Sequence, residues 1–93
     1  MKYAGWIYFN VEKARKHLLE RGYVYTLRKK KRREGWGYAK HGRNFLGKVI
    51  IERVADGREA EKYWRESGFD SLEEWIRDLD LRKMDIYRVE VIE

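Results

Sequence analysis

The chain has 93 residues, of which 41% are charged, 43% hydrophobic and 15% aromatic. That length predicts one domain over residues 1–93, with a modest core and little chain to spare for a deep enzymatic cavity. The absence of cysteine excludes a disulfide framework, a thiol nucleophile and a thiolate metal site, and points to a cytoplasmic setting.

Only His17 and His41 could supply imidazole, and they fit no metal-ligand spacing, so no metal and no cofactor are expected. No apolar stretch approaches the ~18 residues of a membrane span, and the N-terminal residues lack a signal-peptide pattern, so no membrane partner is expected. Both charge signs are abundant and Asn and Gln are few, a composition common in heat-adapted proteins.

Tyr3 to Phe9 mixes β-branched and aromatic residues and predicts a first strand. Asn10 is the expected N-cap of a helix that buries Val11, Ala14, Leu18 and Leu19 and ends at Gly22. His17 is expected to be a partly exposed residue near the end of that helix. Tyr23 to Arg28 predicts a second strand, with Val24, Thr26 and Arg28 on one face and Tyr23, Tyr25 and Leu27 on the other.

A basic, glycine-containing loop is expected over 28–43. Phe45 to Val54 then predicts a third strand, centred on Val49, Ile50 and Ile51. Ala60, Tyr63 and Trp64 recur at helical spacing and predict a short helix from about Arg58 to Ser67. Asp70 with Glu73, or Ser71 with Glu74, fits a capping box that opens a helix from about Ser71 to Leu79. Ile86 to Ile92 predicts the closing strand. The expected class is α+β: a small mixed β-barrel with short flanking helices, in the order β-α-β-β-α-α-β.

The charge distribution is the most specific feature. The formal net charge is +6, yet residues 28–43 alone carry +7, from Arg28, Lys29, Lys30, Lys31, Arg32, Arg33, Lys40 and Arg43 against Glu34. The rest of the chain sums to −1, and residues 56–85 sum to −4. Six adjacent cations repel one another, and nothing in fold stability asks for them in a row. Such a cluster concentrates a polyanion and gains affinity by counterion release. Trp36 and Tyr38 lie among Gly35, Gly37 and Gly42, where aromatic rings could stack on unpaired bases. His41 could add a polar contact.

Three local motifs, in this order and spacing, resemble the ASCH family of the PUA-like superfamily. They are Gly22-Tyr23-Val24-Tyr25-Thr26-Leu27-Arg28, the strand Gly47 to Ile51, and Gly68-Phe69-Asp70-Ser71-Leu72-Glu73-Glu74. The resemblance spans nearly the whole chain. It implies a PUA-like barrel with a cleft beside the first helix, and RNA contact. Some small bacterial members are amidohydrolases acting on N4-acetylcytidine through a lysine, a threonine and a glutamate. The threonine corresponds to Thr26 and the glutamate to Glu73, or else Glu74. Tyr23 occupies the lysine position, and Val24 stands where the family has threonine.

The expected function is therefore an RNA-binding module. Arg28 sits at the cleft mouth, Lys29 to Arg33, Lys40, His41 and Arg43 contact the strand, and Trp36 and Tyr38 stack. Two alternatives remain. One is a small hydrolase acting on a modified nucleoside or on RNA, with Thr26, Glu73, Tyr23 or a loop lysine as its candidates. The other is an interaction module whose basic loop docks an acidic partner such as the 56–85 face of another copy.

Overall fold

A computed structural model describes residues 1–93. Strand β1 (Tyr3–Tyr8) leads into helix α1 (Glu12–Arg21), then β2 (Tyr23–Lys29), β3 (Gly35–His41) and β4 (Asn44–Asp56). Short 3-10 turns at Gly57–Lys62 and Trp64–Glu66 precede helix α2 (Leu72–Ile76), and a third such turn, Leu81–Lys83, leads into β5 (Met84–Val91). The five strands form one mixed sheet in the order β1-β3-β4-β5-β2. All neighbours are antiparallel except the parallel pair β1 and β3. The α+β class is as expected.

The first correction is β3, which lies inside the stretch expected to be a loop. Gly35, Gly37 and Ala39 face inward and are buried, while Trp36, Tyr38 and Lys40 face outward. Residues this small on the buried face imitate a turn signal. Their size is what lets two backbones approach, since a Cβ at Gly35 would overlap the Lys2 carbonyl and one at Gly37 the Gly5 carbonyl.

Three smaller corrections have local causes. Residues 58–67 form 3-10 turns, not an α-helix; the i, i+3 recurrence of Ala60 and Tyr63 suits either geometry. Helix α2 stops at Ile76, three residues short of Leu79, and Asp78 just beyond it takes a left-handed φ of 62°. Asn10 does not cap α1. Val11 holds that position without a side-chain bond, and Arg15 donates back to the Phe9 and Asn10 carbonyls. Gly22 does end α1, at φ 84°, with its N–H donating to the Leu18 carbonyl.

Helix α1 packs on the inward face of the sheet through Ala14 and Leu18. Leu18 joins one core cluster with Ile7, Phe9, Val24, Val49 and Val89, all essentially removed from water. A second cluster, Leu27, Ala55, Ala60, Trp75 and Ile86, fills the end beneath α2.

The two edge strands, β1 and β2, share no backbone pairing, so the sheet is not closed. Arginine side chains span the gap. Arg28 Nη2 donates to the Tyr8 carbonyl at 2.7 Å, and Arg32 Nη2 to the Trp6 carbonyl at 2.6 Å. The backbone N–H of Arg32 donates to the Tyr87 hydroxyl at 3.1 Å, which ties the turn after β2 to the core.

One polar group is buried beside that turn. Asp85 is 7% exposed at its side chain and accepts from Arg53 Nε at 2.9 Å and from Lys30 Nζ at 3.2 Å. The Arg53 bond, with help from Lys30, holds its carboxyl below the ordinary value. A lowered folded pKa stabilises the native state above the unfolded pKa, and that stabilisation is lost as pH falls through the folded one. Both partner cations are partly in water, which screens the interaction. Asp85→Asn should therefore cost about 1–2 kcal/mol at neutral pH. Denaturant titrations of the two proteins should differ most above about pH 5 and converge below about pH 4.

Candidate nucleic-acid interface

The structure divides the cationic run into three groups. Lys30 is the one member of residues 28–43 in a salt bridge, held by Asp56 at 2.6 Å and by Asp85. Arg28 and Arg32 spend donors on backbone carbonyls, as described. Lys29, Lys31 and Arg33 are exposed and pair with no carboxylate. Lys31 takes a left-handed φ of 67° in the turn that displays them.

A cleft of about 480 Å³ opens between α1, β2 and the segment around α2. Thr26 and Arg28 line it, with Tyr8, Phe9, Phe69 and Glu74. Alternation along β2 explains their presence, since Val24, Thr26 and Arg28 share the inward face. Arg28 Nε donates to Thr26 Oγ1 at 3.0 Å, and its guanidinium lies 5.0 Å from the Phe9 ring centroid. Burial, and secondarily the charge of Arg32, push its pKa down to about 10. Arg28 is thus a cation at neutral pH with no carboxylate partner, in a cleft that shields it from water.

The other residues expected for catalysis are not assembled there. Glu73 is exposed and lies outside the cleft lining; the glutamate in the lining is Glu74. Glu74 is bound to Lys13 Nζ at 2.7 Å, which lowers its pKa, and its other oxygen accepts from the Asp70 N–H. Ser71 Oγ accepts from the Glu74 N–H, so the capping pair is Ser71 with Glu74. Tyr23 points to the opposite face of β2, against Tyr25, His17 and Arg88, where Glu66 raises the phenol's pKa. His17 is half-buried on α1, with Nδ1 2.8 Å from the Tyr23 carbonyl.

Trp36 and Tyr38 lie on a strand rather than a loop, and their rings join others that the sequence alone did not single out. Tyr3 lies 4.6 Å from Trp36, Trp6 5.1 Å from Tyr38, and Phe45 5.7 Å from Tyr38, centroid to centroid. Gly5, at φ 82°, makes a bulge in β1. Without it, strict alternation would send Tyr3 and Trp6 to opposite faces; with it, both point outward. Lys40 Nζ sits 4.4 Å from the Trp6 ring and Lys48 Nζ 5.1 Å from the Trp36 ring. His41 is half-buried at the end of β3, and Arg43 is exposed in the Gly42 turn.

A shallow groove lined by Tyr3, Trp6, Tyr8, Arg32 and Arg33 runs beside this face, and Tyr8 belongs to both groove and cleft. Cleft, cationic turn and aromatic face thus form one continuous surface along β1. No helix is long and apolar enough to cross a membrane. In comparisons with protein-family models, curated proteins and solved structures, nothing matches this chain.

Proposed function

We propose that this protein binds RNA along the surface where β2 and the following turn meet β1. The observation that carries the reading is the set of cations left without partners. The chain holds 16 acidic residues, and it places two of them on Lys30, yet none on Lys29, Lys31, Arg33 or the half-buried Arg28. Cations so placed attract a polyanion, and the planar guanidinium of Arg28 suits a phosphate at the cleft.

We read the two arginine bridges from Arg28 and Arg32 to β1 as the seam of a small PUA-like barrel. The resemblance to the ASCH family supports RNA over DNA, which charge alone does not separate. Glu74, the carboxylate beside Thr26, is committed to Lys13, which favours binding over hydrolysis as the role of the cleft.

The test is fluorescence anisotropy with labelled single-stranded RNA, hairpin RNA and duplex DNA of equal length. The expected result is binding in the micromolar range or tighter at physiological salt, with an RNA form ahead of duplex DNA. Equal, millimolar affinity for all three would reduce the cations to a solvated turn.

A further inference from the structure

We propose that the outward face of β1, β3 and β4 is a stacking subsite for unpaired bases, so that the RNA bound is single-stranded. The proposal rests on the RNA-binding reading and adds a part of the molecule that the cationic run does not include.

The face is an unusual surface. Phe45 is 61% exposed, Trp6 46% and Tyr3 42%, and their rings connect through Trp36 and Tyr38 into one patch. Water-facing rings this close together mark an interaction site more often than a free surface. The backbone beneath is arranged for the patch: the Gly5 bulge turns Tyr3 and Trp6 to the same side, and Gly35 and Gly37 let β1 approach β3 closely.

Charge selects the occupant. The outward positions around the rings, Tyr3, Trp6, Tyr8, Trp36, Tyr38, Lys40, Phe45, Lys48 and Ile50, carry two lysines, and the outward carboxylate of β4, Glu52, comes only after Ile50, beyond the rings. Glu93 lies 4.0 Å from Lys48 Nζ. A second copy docked about a twofold axis would set Lys40 and Lys48 against cations of the same face. A nucleic-acid strand offers those lysines phosphates and offers the rings base faces. Continuity gives the path, because Arg32 and Arg33 border Trp6 and Tyr8 in the groove that leads to the cationic turn. In a duplex the base faces are already stacked on one another, so only an unpaired strand can use the rings. Aromatic sheet faces of this kind stack about two or three bases.

The experiment uses the full chain with a labelled uridine dodecamer and a blunt RNA duplex, each titrated across a salt series, with Trp6→Ala, Phe45→Ala and Trp6→Phe compared with the parent. Both residues are well exposed, so their truncation spares the core, and melting temperatures confirm it. Each alanine variant should weaken dodecamer binding about 5- to 150-fold, leave its salt slope unchanged and leave duplex binding unchanged. Trp6→Phe should retain most of the affinity, because the ring remains.

Unchanged dodecamer affinity in both alanine variants, with the parent's steep salt slope intact, would overturn the stacking subsite and leave the cationic reading standing. Equal losses for dodecamer and duplex would also overturn it. No binding of either RNA by the parent would overturn both readings. A change of oligomeric state in Trp6→Ala by sedimentation equilibrium, with RNA affinity unchanged, would assign the face to a second copy and overturn the proposal.

Discussion

Replacing Lys29, Lys31 and Arg33 together with serine should weaken single-stranded RNA binding about 50-fold at about 0.15 M salt. The figure follows from counterion release. Each phosphate contact on a single strand contributes about 0.7 to the log–log salt slope, so losing three should flatten the slope by about 2. The three side chains are exposed and unpaired, so the fold should not change. Lys30→Ser is the informative control. It removes the same charge from the same run, but Lys30 is held by Asp56 and Asp85. That variant should lose stability while binding and salt slope stay near the parent's. If Lys30→Ser weakened binding as much as each of its neighbours, the division of the run into paired and free cations would be wrong.

Gly37→Ala should destabilise the protein by about 3 kcal/mol, the upper end of what one added methyl costs in a packed interior. Gly37 is buried opposite Gly5 in the parallel pair, and the new Cβ would overlap the Gly5 carbonyl. The obstacle is backbone, so no side chain can rotate aside. The methyl would push β1 away from β3, its one backbone-paired neighbour, and β1 carries Ile7 into the core. Gly42→Ala provides the contrast. Gly42 has open space around it but a φ of 57°, so alanine there meets only backbone strain, costing about 1 kcal/mol. Urea denaturation of the two variants distinguishes the mechanisms. A Gly37→Ala protein no less stable than Gly42→Ala would contradict the close approach of the two strands.

Much of the fold was legible in the residues because it rests on local signals. The alternation of Val24 and Thr26 against Tyr23 and Tyr25, the Gly22 stop and the apolar runs of β1, β4 and β5 each declare themselves within a few residues. Strand β3 did not. Its buried face is Gly35, Gly37 and Ala39, and small residues carry no hydrophobic period; what makes it a strand is a parallel neighbour more than 30 positions earlier.

The candidate site follows the same division. The concentration of charge over 28–43 and the placement of Thr26 and Arg28 on one face of β2 were readable from composition and period. The separate fates of Lys30 and Lys31 were not, because Asp56 and Asp85 lie 26 and 55 positions beyond Lys30. Nor was the aromatic face, which unites Tyr3 and Trp6 with Phe45 only through the β1-β3-β4 order and one bulge.

The most direct test of RNA binding is the salt dependence of the unmodified chain's affinity for a single-stranded RNA. Arg28, Lys29, Lys31, Arg33, Lys40 and Arg43 are cations of the run free of carboxylates and displayed along this surface or in a turn, whereas Arg32, also free of carboxylates, has both terminal nitrogens on backbone carbonyls. If these six contact phosphates, the plot of log affinity against log salt should fall with a slope near −4, at about 0.7 per contact. A slope near zero, or no measurable binding at about 0.1 M salt, would contradict the account.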